Sequence, residues 1–558
     1  MDRRAALVGL FGSRQQRTIK TSMLPPPDGL APYTGPWGPE QAAHLLRRAT
    51  FGPTKDEIQQ VITQGLEATI QQLFTELPLP QPPVYYDTEE EDDPNVPLGE
   101  SWVDTPLPEE GDPIGNRRRS IRSWTVLQML EEGVSVRETL TLFWHNHFAI
   151  SNVVDDPRFW YRYISTIRTH AWGNFRQLVK DITIDPCMLR FLNGNQNEAG
   201  SPNENYAREL LELYTVGKGP SAGPGDYTTF TEQDVQEMAR ILTGWVDSGY
   251  KTTDPEDELR SYFDPEVHDI YAKQLSDRFG SAIVTDLGEE EYAHLIDIIF
   301  EQDIVAEHIC RKLYRWFVYY KVDEATELNV IAPMAQMLIA NDYEVGPVLQ
   351  TLLQSDHFFS FLNQGPMIKH PFQYVLSPIK QCTTALPEEL LERYEAGHEL
   401  FRAVARMDME YFDIPEVAGW KAYYQQPLYY RQWINAITLH QRSGFVRKLL
   451  TNGYLINEET EERFRLDTLG FIATLDNPLD VNEMIAEITA LLLPQPLSEG
   501  QLLALKELLI PGLPDFEWTL EYGNHLGDPE DEELREAVER KLQDFFTGLF
   551  NMAEFHLS

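Results

Sequence analysis

The chain has 558 residues, 42% of them hydrophobic and 11% aromatic, which is enough apolar side chain for more than one core and too much for a disordered polymer. Its 88 acidic against 46 basic side chains give a formal charge of −42, which repels phosphate backbones and so argues against nucleic acid as a partner. The cysteines Cys187, Cys310 and Cys382 lie far apart and form neither a disulfide framework nor a close metal-ligand pattern.

In chain order, Arg3 and Arg4 precede a short apolar run from Ala5 to Leu10, in the manner of a twin-arginine export signal. Arg14 and Arg17 cut that run short, so the protein is expected to be periplasmic or exported if the signal works, and cytoplasmic otherwise. Residues 1–35 read as a tail, closed by Pro25, Pro26, Pro27 and Gly29. No apolar run reaches the ~18 residues a membrane span needs.

Ala43, Leu46 and Ala49 then recur at helical spacing after Gly38 and Pro39. Thr54 with Glu57 forms a capping-box pattern for a helix through Phe74. Residues 77–115 are Pro-rich and acidic, with Glu89 to Asp93 in one run, and read as an exposed insertion.

Helical periodicity returns from Ser120 to Ile184. Ser201, Pro202 and Glu204 predict the start of a helix running from Asn205 to Val216, with Gly217 as its stop. Thr231 caps another, along which Val235, Met238, Leu242 and Trp245 repeat. Residues 250–285 are turn-rich with strand-like pieces. Helix is predicted again over 289–320, 323–360, 386–408, 428–450, 498–508 and 530–552. The expected fold is mainly α, a large multi-helix globular fold with few short strands. Two packed lobes are expected, 36–365 and 366–558, the first carrying the 77–115 insertion.

Three polar stretches could carry chemistry. From Arg137 to Phe148 apolar side chains point in every direction, the mark of a buried helix, and its histidines His145 and His147 must find partners there. Glu138 shares a face with His145 and is expected to orient its ring. The two histidines point about 200° apart on an ideal helix, so they chelate one ion only if the helix ends or distorts near Trp144. In the second stretch Glu204 and Glu209 border the apolar arc of an amphipathic helix, where either could turn inward as an acid/base group or an oxygen ligand. The third is His268 with Asp269, a nitrogen and an oxygen donor side by side in a turn-rich region. Each also has a plainer reading: hydrogen-bonded core histidines, a solvated helix face, and a turn-stabilising Asp beside a surface His.

No phosphate loop, dinucleotide glycine fingerprint, G-x-S-x-G elbow or HExxH occurs, and no nucleotide cofactor is expected. The stretch Ala42 to Gly52, reading AAHLLRRATFG, and the Trp-His-Asn-His-Phe at 144–148 resemble motifs of the bacterial "domain of unknown function 1800" family. So do Asn203 to Leu213, Asp234 to Trp245, His268-Asp269, Lys312 to Val318, Val417 to Trp420 with Trp433 to Asn435, and Ala553 to Ser558. Ala422, Tyr423 and Tyr424 stand where many members are glycine-rich. The resemblance implies no assigned reaction; it implies a frequent export signal and a sulfatase-like companion protein as possible partner.

Two functions are therefore expected as rivals. One is a metal-assisted hydrolase in which His145, His147, His268 and Glu209 supply ligands to one divalent ion (Zn, Fe or Mn) while Glu204, Glu209 or Asp269 moves protons. The other is a non-enzymatic envelope protein that binds the sulfatase-like partner through Tyr423, Tyr424, Tyr429 and Tyr430. A metal-free carboxylate pair, Glu204 with Glu209, is a third and weaker reading.

Overall fold

The computed structural model of the chain describes residues 29–86 and 93–558. The twin-arginine-like stretch and Glu89 to Asp92 of the acidic run lie outside the described residues. Helix makes up 55% of the structure, and the strands form four separate two-stranded antiparallel ladders, so the fold is mainly α. Among the described residues no helix is long and apolar enough to cross a membrane.

Local chemistry places many of the helix starts. Thr54 and Glu57 close a reciprocal capping box for Lys55–Gln64, and Thr231 does the same with Asp234 for Glu232–Ile241. The first of these helices ends at Gly65 (φ +87°) rather than running on to Phe74, and a new one, Leu66–Leu73, starts there. The expected cap at Ser201 is displaced to Asn203, whose side chain accepts from the Asn205 N–H. Ser201 is instead bridged to Glu198 in a turn. The helix that follows is α-helical over Glu204–Glu209 and then widens into a π turn over Leu210–Tyr214. Trp245 is not helical; it opens a strand, Trp245–Ser248, that pairs with Arg260–Phe263.

The apolar cluster filling the interior runs from Ala42 to Phe555 and includes residues on both sides of 365. Helix Ile114–Glu131 lies along Leu390–Ala405, and Gly397 permits the approach: a Cβ there would sit 3.0 Å from the Ser123 carbonyl oxygen. The 77–115 stretch, lacking helix before Ile114, is exposed over 97–100 and 109–112 but anchored in the interior elsewhere in its described part. Trp102 and Tyr86 are fully buried in it, and Asp93 accepts from Arg117 Nε at 2.7 Å with neither side chain exposed. A basic residue 24 positions downstream neutralises the acid that local composition made look wet.

Candidate functional site

Every residue of helix Arg137–His147 is buried. Its two histidines leave on opposite sides, as the helical angle requires, and each is fully engaged. The Phe412 N–H donates to His145 Nε2 at 3.0 Å, so a neutral ring carries its proton on Nδ1, 3.2 Å from the Tyr163 hydroxyl. That hydroxyl donates in turn to the Phe148 carbonyl at 2.5 Å. Tyr411 stacks on the ring with centroids 4.2 Å apart. Burial drives the His145 pKa down to about 3. Neither ring nitrogen has a lone pair left for a metal. Glu138 does not orient His145; it forms a bidentate pair with Arg168 at 2.6 and 2.9 Å, and that guanidinium lies over the Trp124 ring.

His147 faces the end of the π turn. Its Nε2–H donates to the Tyr214 carbonyl at 3.2 Å, and Lys312 Nζ donates to its Nδ1 at 2.9 Å. Lys312 also donates to the Leu213 carbonyl at 2.8 Å, where His308 Nε2 donates at 3.1 Å. Two imidazoles and an amine thus satisfy carbonyls that a helix end leaves open. Burial, with Arg315 nearby, lowers the Lys312 pKa to about 7, and burial with Lys312 lowers that of His308 to about 3. This contact joins the first and second polar stretches, though not through the carboxylates. Glu204 is half-exposed and pairs with Arg208 at 2.9 Å, which also grips Glu232. Glu209 is half-buried, takes no hydrogen bond among the described residues, and is pushed up in pKa by burial and then by Glu212.

His268 lies elsewhere. Asp269, its neighbour, is held by Arg240 at 2.8 and 3.2 Å; burial raises its pKa, and the Arg240 and Tyr271 N–H bonds more than reverse that. Asp269 is therefore a committed ion-pair partner. His268 Nδ1–H donates to the Thr243 carbonyl at 2.8 Å, which leaves Nε2 3.3 Å from Glu291 Oε2 and 4.0 Å from Asp286 Oδ1. These three groups offer ligand atoms all within 4.8 Å of one another. A neutral ring held this way aims a lone pair at two carboxylates, an arrangement that needs a proton or a cation between them. Lys273, fully buried, binds the other Glu291 oxygen and the Asp269 carbonyl. Burial lowers the His268 pKa, but its bonds to Glu291 and Thr243 outweigh this and raise it overall.

The six nominated residues thus divide. His147 approaches the second stretch, His145 is closed off by Tyr163 and Phe412, and His268 gathers Glu291 and Asp286, which sequence reasoning missed. Glu291 hides at the end of an acidic run, Glu289-Glu290-Glu291. Its signal was the spacing to Leu295 and Ile298, which puts it on the apolar stripe of its helix.

A cleft of about 530 Å³ is walled by Trp124, Tyr161, Arg162, Arg168 and Asp185. Its edge includes Arg260 and Ser261, on the same strand as Phe263, whose ring meets His268 with centroids 5.0 Å apart. Burial raises the Asp185 pKa to about 7 even though the Met188 and Cys187 N–H groups bond it. The tyrosines nominated for partner binding are mostly taken up in packing. Tyr429 and Tyr430 are buried, and Tyr423 stacks on Trp316 at 4.4 Å.

No curated protein and no solved structure matches the chain. A family model does match, over residues 44–514, and its description is "Protein of unknown function (DUF1800)". The chain belongs to that family.

Proposed function

We propose that the protein is a metal-assisted hydrolase whose divalent ion is held by His268, Asp286 and Glu291. The observation that carries this reading is the convergence of one imidazole nitrogen and two carboxylates, whose oxygens also accept the Leu287 and Gly288 N–H groups at 3.3 and 3.0 Å. His268, Asp286 and Glu291 would hold the ion as one nitrogen and two oxygen ligands, a donor set that would suit zinc, iron or manganese, and the chemistry such an ion would supply is activation of water for hydrolysis. The Thr243 carbonyl fixes the His268 tautomer, as second-layer partners of metal-bound histidines do. Asp286 is exposed, so the proposed ion position is open to solvent on that side.

The test is reconstitution. Protein stripped with chelator and dialysed against Zn²⁺, Mn²⁺ or Fe²⁺ is expected to retain about one equivalent of metal, and Glu291→Gln and His268→Ala to lose it. Wild-type retention below about a tenth of an equivalent sinks the proposal. Turnover of generic phosphate and carboxyl esters is expected only in the loaded protein, and metal binding without any turnover would leave a structural ion and overturn the hydrolase reading.

A further inference from the structure

Four cations are buried close together in a molecule whose net charge is −42. Arg47, Arg48, Lys369 and Arg442 each lie below a tenth exposed, and among the described residues none forms an ion pair with a carboxylate. Carbonyl and hydroxyl oxygens serve them instead. Arg48 donates to the Phe317 and Trp316 carbonyls at 3.0 and 2.6 Å and to the Ser558 hydroxyl at 2.8 Å, and Arg442 donates to the Lys369 carbonyl at 2.7 Å. Burial, reinforced by mutual repulsion, holds Lys369 and His370 well below their usual pKa values. Uncompensated buried charge of this kind is costly, and a counter-ion relieves it.

A cavity of about 20 Å³ lies against this cluster, lined by Arg48, Trp316, His370, Gln373, Tyr423 and Trp433 among others, with no carboxylate in its walls. That volume holds one water-sized body and little more. The Tyr423 hydroxyl is buried and among the described residues has no hydrogen-bond partner, and Tyr423 is one of the residues that line the cavity. Gln373 N–H donates to His370 Nδ1 at 3.3 Å, so the neutral His370 ring carries its proton on Nε2 and has a donor to spare. His370 is also the N-cap of helix Pro371–Gln381, whose positive end therefore adjoins the cavity. The lining residues Arg48, Tyr423 and His370 carry a guanidinium, a hydroxyl and an imidazole N–H.

We infer that this cavity is a binding site for a single small anion of halide size. Arg48 supplies the charge, the Tyr423 hydroxyl the free hydrogen bond, and the anion neutralises part of the buried cationic cluster. Segments around residues 48, 316, 370, 423 and 433 meet at the cavity, so occupancy ties together parts of the chain that are far apart in sequence.

Thermal unfolding in sodium bromide, compared with sodium gluconate at equal ionic strength, separates binding from general screening, because gluconate is too large for the cavity. Bromide is expected to raise the melting temperature saturably above gluconate, and Tyr423→Phe, which preserves ring and packing, to weaken the bromide effect about fivefold to tenfold. Crystals grown in bromide are expected to show an anomalous peak within hydrogen-bond reach of the Tyr423 hydroxyl. Superimposable bromide and gluconate curves overturn the inference. So does an unchanged bromide effect in Tyr423→Phe, or a cavity holding water alone.

Discussion

The backbone N–H of Phe412 donates to Nε2 of His145 at 3.0 Å, across 267 residues of sequence. This bond fixes the tautomer of the ring and makes His145 a cross-link between a buried helix and a distant loop. His145→Ala would orphan the Phe412 N–H and leave a cavity under Tyr411, at a cost of about 3 kcal/mol in urea unfolding. Metal content should not change, because both ring nitrogens are already bonded. A variant that keeps wild-type stability but loses metal would reverse that assignment.

The buried imidazoles set the acid limit of stability. His44, His145, His308, His398 and His556 are each held near a pKa of about 3 by burial. Between 6.5 and about 3 the unfolded chain binds protons that the folded chain refuses. Their stabilisation is therefore present above pH 6.5 and lost as pH falls through about 3, each contributing up to about 1.4 kcal/mol per pH unit. Asp185 and Glu132, raised to about 7 by burial, act oppositely: their contribution is present at acid pH and lost as pH rises through about 7. Because these five imidazoles take up protons only in the unfolded chain across this window, unfolding free energy is expected to fall from pH 6.5 to 4. His145→Gln should flatten the slope by about one proton, and an equal slope in the variant would show that His145 is already charged in the fold.

Glu138 and Arg168 are buried together. Glu138→Gln leaves the guanidinium without its counter-charge and is expected to cost about 3 to 5 kcal/mol in chemical unfolding. Because the pair is shielded, the loss should be nearly the same in low and high salt. A loss that vanishes in high salt would mean that water reaches the pair.

The burial of helix Arg137–His147 was legible because its apolar side chains circle the axis, and the opposed directions of His145 and His147 followed from helical geometry alone. Which neighbour each polar group meets was not. Glu138 and His145 share a face, yet Arg168 lies close enough to claim the carboxylate, a fact of tertiary packing that no local spacing encodes. Asp93 looked solvated for the same reason, since Arg117 reaches it only after the chain turns back. Glu291 was masked by the two acids before it. The cationic cavity escaped notice because its residues come from segments hundreds of positions apart.

Lys273 gives the sharpest test of the metal reading. Its ammonium already neutralises one oxygen of Glu291, while His268 and Asp286 converge on the other. Lys273→Met removes that charge and leaves Glu291 buried without its partner, so the metal-free variant is expected to lose about 3 to 5 kcal/mol of stability. If the cluster holds a divalent ion, saturating Zn²⁺ or Mn²⁺ supplies the missing positive charge. Binding to the folded state then restores stability in proportion to ion concentration over the dissociation constant. Affinity should rise about tenfold over the wild type, since a competing cation next to the ligand carboxylate has gone. A variant that unfolds early and ignores added metal would show instead that His268, Glu291 and Lys273 are an ion-paired support for the fold, with the imidazolium as the second cation.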